Sequence, residues 1–319
     1  MIRLYNVVLI LFKSLKKDFL LPLKFLRFLR QYGIKKTKQR IKYRLGLWLY
    51  YNQNNYQENI QRKKQHTSAF NVEALKFKVL STVPDIGSER EIAVILHLYY
   101  LDMWDEISYY LLNLSEEFDL FISLNSNYSV DCIYSIMNKF PKAHFFCFGN
   151  RGRDIFPFVK IYEKIKNTGY KFVCKLHTKK SSHLYWGDMW RRHSLECLLG
   201  STEKINEILE LLSKNNVGIV VPWGNRLYYK DWKSGNESTI KEILSKKRMN
   251  YFEDFYFPSG SMFWFKPDVF EGLVELIKGE EFEPEKGQVD GTLAHAIERM
   301  FGLVCYLNGY NIIEYPSTI

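Results

Sequence analysis

Ile92-Ala93-Val94-Ile95-Leu96-His97-Leu98 is an unbroken apolar run that carries a single imidazole near its end. A strand with one face in water alternates polar and apolar residues. A run without alternation fits a strand buried on both faces, the kind found in parallel sheets. Outward from it, Phe118-Asp119-Leu120-Phe121-Ile122-Ser123-Leu124 reads as a second strand, Ala143 to Phe148 as a third and Tyr170 to Leu176 as a fourth. Val217 to Pro222 supplies a further one. Between them, Trp104 to Leu114 and Val130 to Phe140 carry apolar residues at helical spacing, the latter stopped by Pro141. Asp154 to Asn167 reads as a helix with Pro157 in its first turn, where a missing N–H costs nothing. Strand and helix in alternation predict an α/β fold with a mostly parallel sheet and right-handed crossovers.

Composition agrees. Of 319 residues, 46% are apolar, 25% charged and 16% aromatic. These proportions exclude a disordered or collagen-like chain and leave one large or two modest globular domains. Cys132, Cys147, Cys174, Cys197 and Cys305 are odd in number and scattered, with no metal-ligand spacing. That usage suits a reducing compartment, where a free thiol behaves as a small hydrophobe.

The net charge of +10 is not spread over the fold. Residues 1–65 hold 16 Lys and Arg against only Asp18 and Glu58, while the remainder carries 29 basic and 33 acidic residues. The body is therefore slightly acidic, with no basic groove for nucleic acid. Residues 4–12 (LYNVVLILF) are too short to cross a hydrocarbon core that needs about 20 residues. Lys24, Arg27 and Arg30 then recur every third residue among Leu and Phe. Two readings fit this segment: an in-plane helix with snorkelling cations on an anionic membrane surface, or a helix packed on the protein's own body. No small-residue cleavage site follows. The organisation expected is a basic amphipathic helical arm (1–50), a polar linker (51–72) and an α/β domain (73–319).

Sheets of this kind bind ligands at the carboxyl ends of their strands, so the polar residues there carry the functional reading. His97 and Tyr99 close the first strand and Asn125 the second. Asn150-Arg151-Gly152-Arg153-Asp154 follows the third and opens a helix, and Lys175-Leu176-His177-Thr178-Lys179-Lys180-Ser181 closes the fourth. Further on come Ser259-Gly260-Ser261-Met262, the aromatic Phe263-Trp264-Phe265, and Gln288-Val289-Asp290-Gly291-Thr292 before a helix over Leu293–Met300. Cations, a helix N-terminus and hydroxyls are what a diphosphate requires. Each cluster also has a plainer reading: a solvated lysine loop, an Asp-Gly helix cap at Asp290, and an aromatic core segment around Trp264.

Taken together, the tracts AVILHLYYLD (93–102), NRGRDIFP (150–157), KLHTKKS (175–181), LGS (199–201), SGSM (259–262) and DGTLAHAIER (290–299) resemble the rhamnan synthesis protein F family, bacterial glycosyltransferases of polysaccharide assembly. The resemblance covers roughly residues 90–305; residues 1–70 are read on charge and pattern alone. It implies a GT-A-like, Rossmann-type nucleotide-sugar-binding domain. It also implies transfer of L-rhamnose from dTDP-L-rhamnose to a lipid-linked (undecaprenyl diphosphate) oligosaccharide, in O-antigen, rhamnan or capsule synthesis. The enzyme would work on the cytoplasmic face of the bacterial plasma membrane.

On that resemblance, His97, Tyr99 and Asn125 cradle the nucleotide, with Asn150, Arg153 and Asp154 nearer the sugar. The Asp-x-Asp metal motif of GT-A enzymes is missing, and His177-Thr178-Lys179 stands at its place. Lys175, Lys179 and Lys180, together with His177, would then neutralise the diphosphate. No cofactor is expected, with Mg²⁺ or Mn²⁺ left open. Asp290 is the expected general base of an inverting transfer, with Glu298 as the reserve carboxylate. His295 would touch the donor phosphates or orient the base, and Arg299 would bind the donor. Ser259, Gly260, Ser261 and Trp264 are expected to meet the acceptor. Two alternatives stay open: a non-catalytic assembly scaffold, and a transferase of the same fold using another nucleotide sugar.

Overall fold

In a computed structural model of the chain, residues 90–125, 130–178, 187–288 and 290–316 are described. The expected arm and linker, residues 73–89, and Lys179 and Lys180 lie outside them. The chain divides into two compact units, residues 1–65 with 179–194, and residues 66–178 with 195–319. The described part of the first is the opening of helix α4 (Gly187–Leu199).

The second unit is built on a seven-stranded sheet in the order β3-β2-β1-β4-β8-β5-β9. The first strand among the described residues is β1 (Ile92–Leu98), buried throughout as its lack of alternation demands. It pairs in parallel with β2 (Phe118–Asn125) on one side and β4 (Phe172–His177) on the other. β3 (His144–Phe148) extends the sheet beyond β2. The sheet is mostly parallel, as in Rossmann-like folds, with one departure. β8 (Phe263–Phe265) is antiparallel to both its neighbours, β4 and β5 (Val217–Pro222). β9 (Asn311–Tyr315) returns parallel to β5. A separate two-stranded ribbon pairs β6 (Arg226–Tyr228) with β7 (Tyr256–Pro258).

The helices follow the expected alternation with trimmed ends: α1 (Trp104–Leu111), α2 (Val130–Lys139) and α3 (Ile155–Ile165), the last carrying Pro157 in its first turn. Then come α5 (Thr202–Leu212), α6 (Glu237–Lys246), the short α7 (Leu273–Leu276) and α8. Helix α8 runs Leu293–Leu307, a full turn and more beyond its expected end at Met300.

Because successive side chains of a strand point to opposite faces, odd-numbered residues of the central strands share one core. Ala93, Ile95, Phe121, Val173, Phe263 and Phe265 meet Phe158 and Tyr162 of α3 and Ile297 and Phe301 of α8. Phe158 sits edge-on to Phe263, Phe265, Phe270 and Phe301 at 5.5–6.5 Å, the tilted geometry that aromatic quadrupoles favour. This core fixes α3 and α8 with their N-termini at the carboxyl edge of β1 and β4. The strand order reverses at that same edge: β2 and β3 lie to one side of β1, and β4 to the other. Chain leaving β1 and chain leaving β4 must diverge there, which opens a crevice.

Gly302 controls how closely the ribbon approaches α8. A Cβ at this position would lie 2.0 Å from the Tyr256 carbonyl oxygen and 2.7 Å from Phe257 Cα. Gly302→Ala should therefore push β7 away and cost about 1–3 kcal/mol, the scale of overpacking. Urea unfolding of the two proteins measures it; an unchanged midpoint would contradict this packing.

Candidate functional site

The crevice gathers residues from tracts far apart in sequence. His97 and His177 are register partners at the ends of β1 and β4. Thr178 bridges the diverging chains: its Oγ1 accepts the N–H groups of Tyr99 and Tyr100 at 2.9 and 3.0 Å. Asn125 donates to the Tyr99 carbonyl and Asn150 to the Tyr99 hydroxyl, both at 3.4 Å. His97, Tyr99 and Asn125, the expected nucleotide cradle, are thus linked through Thr178 and the Tyr99 carbonyl, and Asn150, expected nearer the sugar, joins them at the Tyr99 hydroxyl. Thr178, inside the lysine-rich tract, carries no chemical signal in the sequence, yet its hydroxyl ties the two strand ends together.

Behind it lies a buried ion pair. Lys175 is 1% exposed, and its Nζ donates to Asp154 Oδ2 at 2.5 Å, to the Ser261 carbonyl at 2.8 Å and to Ser261 Oγ at 2.7 Å. Three acceptors require three N–H donors, so the amine is an ammonium. It also rests 5.1 Å from the Phe158 ring centroid. Burial alone would raise the Asp154 pKa, but His177 and Lys175 hold it well below the usual carboxylate range. His177 Nε2–H donates to the Gly260 carbonyl at 2.9 Å, while Nδ1 stands 3.6 Å from Asp154. His97 Nδ1 pairs with Ser123 Oγ at 2.8 Å. Burial, partly opposed by Asp154, brings its pKa down to about 4, so it is neutral at pH 7.

Several expectations change here. Lys175 cannot neutralise a diphosphate, because every proton it can donate is already used inside the protein. Ser261 and Gly260 do not face an acceptor. Ser261 is buried and bonded to Lys175; the Gly260 carbonyl takes His177 and its N–H donates to Glu298 Oε1 at 2.8 Å. Both lie in left-handed backbone, with φ of 58° at Ser261 and 84° at Gly260. That conformation is uncommon for serine and is held by these bonds. Trp264 is 0% exposed on the face of the sheet away from α3, its indole N–H donating to the Leu198 carbonyl at 3.0 Å. It is core, not an acceptor platform. Of the expected acceptor residues, Ser259 alone is half-exposed.

The third group surrounds the N-terminus of α8. Thr292, not Asp290, caps the helix, with Thr292 Oγ1 2.7 Å from His295 Nδ1 and the Thr292 N–H also directed at that nitrogen. A ring nitrogen that receives these groups is unprotonated in the neutral imidazole, which places the proton on Nε2. Burial and the Arg153 charge lower the His295 pKa and keep it neutral. Asp290, freed from capping, has a side chain 32% exposed. Its Oδ1 accepts Asn236 Nδ2–H and Gly291 N–H, each at 2.9 Å, and stands 3.7 Å from Arg299 Nη2. Burial would raise its pKa, but the Asn236 bond and the Arg299 charge prevail and lower it. Glu298, the reserve carboxylate, accepts the Gly260 N–H with one oxygen and Arg299 Nη1 at 2.7 Å with the other. Arg153, in left-handed backbone with φ 54°, donates to the Gln288 carbonyl and pairs with Glu285 at 3.4 Å. Among the described residues, no group of three or more His, Cys, Asp or Glu side chains is placed to hold a metal ion. No helix among them is long and apolar enough to cross a membrane.

Electrostatics of the Asp154–Lys175 pair set a stability test. Lys175→Met leaves a buried carboxylate without its cation and should cost about 3–5 kcal/mol; adding Asp154→Asn should recover most of it. A carboxylate whose folded pKa is depressed gives its full contribution above its unfolded value of about 3.9 and loses it as pH falls through the folded pKa. Urea unfolding from pH 7 to pH 3 should show that acid loss in wild type, and less of it in Asp154→Asn.

The profile described as rhamnan synthesis protein F matches residues 26–310, which extends the likeness well before the tracts that first carried it. Two proteins of Xanthomonas campestris pv. campestris, each named uncharacterized protein WxcX, are similar to the chain. The one from strain B100 is 31% identical and the other 30%, both over 248 residues. Those residues are 76% of this chain and 36% of each relative, so the chain spans about a third of the curated relatives it matches. With the match covering nearly the whole α/β unit and all three groups of the crevice, the chain belongs to the rhamnan synthesis protein F family.

Proposed function

We propose that the protein is a GT-A-type glycosyltransferase of cell-surface polysaccharide synthesis. It would transfer L-rhamnose from dTDP-L-rhamnose to a hydroxyl of an undecaprenyl-diphosphate-linked oligosaccharide, with inversion. Family membership supports the polysaccharide role. The observation that carries the chemistry is the carboxylate of Asp290: one oxygen holds the bonds to Asn236 and Gly291, and the side chain is partly open at the crevice.

In the transfer, the acceptor oxygen bonds to the anomeric carbon as the bond from that carbon to the phosphate oxygen breaks. The nucleoside diphosphate leaves, and the acceptor proton passes to Asp290. A lowered pKa keeps the carboxylate ionised and ready at neutral pH. The nucleotide lies over Tyr99 and Asn125, where the strand ends diverge. With Lys175 committed to Asp154, the diphosphate is met by Arg153; Lys179 and Lys180, expected from the sequence to join it, lie outside the described residues. A donor set of cations and histidines supports transfer without a metal. The basic segment at residues 1–50 holds the protein on the anionic cytoplasmic leaflet, beside its lipid-linked acceptor.

A panel of nucleotide sugars, with nucleotide release as readout, tests donor and reaction together. Asp290→Asn should keep donor binding and lose about 10²–10⁴-fold in turnover, and wild-type turnover should survive EDTA. A variant that stays active, or a product that keeps the donor's anomeric configuration, removes Asp290 as the base. Separately, the full chain should pellet with vesicles containing anionic lipid and be released by high salt, because screening weakens that attraction. Binding to neutral vesicles alone would defeat the electrostatic anchor.

A further inference from the structure

Asn236 lies in a polar stretch, Asp231-Trp232-Lys233-Ser234-Gly235-Asn236-Glu237, that has no chemical motif. The fold buries it completely, at 0% exposure. It occupies the position before α6, where an asparagine ordinarily turns its oxygen onto the first free N–H groups of the helix. This one makes no such cap. Its Nδ2 donates instead to the Lys233 carbonyl at 3.1 Å and to Asp290 Oδ1 at 2.9 Å. The orientation leaves Oδ1 buried with no hydrogen-bond partner. A buried amide that gives up its local cap and accepts an unsatisfied oxygen is held that way by the bond it makes.

The backbone around it is arranged for the same contact. Ser234 is in left-handed conformation with φ 49°, and this turns the short 3₁₀ segment Ser234–Asn236 toward the loop before α8. A Cβ on Gly235 would lie 3.4 Å from Gly291 Cα, so the two loops meet nearly backbone to backbone. Across that junction Asn236 and Gly291 place their N–H groups on the same oxygen of Asp290. Two donors on one carboxylate oxygen fix the plane of the group and direct the other oxygen elsewhere.

Resting on the reading of Asp290 as the base, we infer that Asn236 is a positioning residue that orients its carboxylate. The charged groups around Asp290 are few. Arg299 and His295 face it from α8, and Glu298 reaches it only through Arg299. On the Asn236 side, Lys233 is engaged with Glu253 and Glu237. From the loop before α3, Arg153 is engaged with Glu285 and with the Gln288 carbonyl. Asn236 itself carries no charge, so its removal changes none.

The carboxyl carbon of Asp290 can be followed by NMR in full-length protein labelled with ¹³C-aspartate, the resonance being assigned by its loss in Asp290→Asn. In wild type it should titrate below the ordinary value of about 3.9. Loss of a donor to the charged form raises a carboxylate pKa, so Asn236→Ala should move the midpoint up by about one pH unit. Asn236→Asp keeps the shape, replaces the donor by a second carboxylate, and should move it higher still. In turnover, both variants should lower kcat with the donor KM nearly unchanged, and the acid limb of the pH profile should follow the NMR midpoint. If Asn236→Ala does not fold, the isosteric Asn236→Asp alone decides. A midpoint that stays at its wild-type value overturns the role of Asn236 and leaves the base in place. A fully active Asp290→Asn instead removes the base, and with it any catalytic consequence of Asn236.

Discussion

The site depends on one buried ion pair. Asp154 at the start of α3 and Lys175 on β4 meet on the apolar side of the sheet, among Phe158 and Phe263, where neither charge could stand alone. Their attraction offsets the loss of water only because every remaining donor of Lys175 finds an acceptor on Ser261. That requirement reaches outward. It holds the turn before β8 in left-handed backbone, and so places the Gly260 carbonyl against His177 and the Gly260 N–H against Glu298. Glu298 in turn fixes Arg299, which stands beside Asp290. A helix, two strands and a second helix are thereby joined at one point.

The sheet supplies the place and the pair supplies the rigidity. Reversal of strand order between β1 and β4 opens a crevice whether or not anything binds there. Its walls are polar because each chain segment that enters or leaves the edge brings one short polar tract: 97–99, 150–154, 175–178, 259–261 and 290–299. Buried polar groups of this density are tolerated when nearly all are satisfied. Half of the exceptions among the described residues fall at one spot: Asn236 Oδ1, His295 Nε2 and Arg299 Nε are buried without partners, and all three residues surround Asp290, whereas Trp104 Nε1, Asn138 Oδ1 and Arg226 Nε lie elsewhere.

Much of this was legible in the chain. The unbroken run of β1 announced a doubly covered strand, and the tracts after the strands do gather at one edge of the sheet. What the sequence could not show was where a side chain points. Lys175 precedes an evident lysine loop and reads as one more surface cation. The strand's two-residue period sends it inward instead, to a carboxylate contributed by another tract. Trp264 follows a Ser-Gly-Ser turn that does reach the site, but as the middle residue of a central strand it turns to the opposite face. Asp290-Gly291 has the form of a helix cap; Thr292 takes that task, and this frees the carboxylate. Asn236 carried no local signal at all, since its partner lies in a loop far along the chain. Pairings of that kind arise from topology rather than from any window of sequence.

β8 has a consequence for how the chain comes together. It is a short antiparallel strand set between β4 and β5, both of which precede it in the sequence. As the chain emerges from the ribosome, β1 to β4 can pair soon after they are made. The inner edge of β4 then has no neighbour until Phe263-Trp264-Phe265 arrives. The centre of the sheet is therefore completed late, by a segment that must enter between two strands already formed. Closure of so long a loop is slow, and an open strand edge in the meantime is prone to wrong pairing. The three residues of β8 are all large aromatics. A segment that makes few backbone bonds but brings so much apolar surface can displace a mispaired strand, and the ammonium of Lys175 becomes enclosed only when it does.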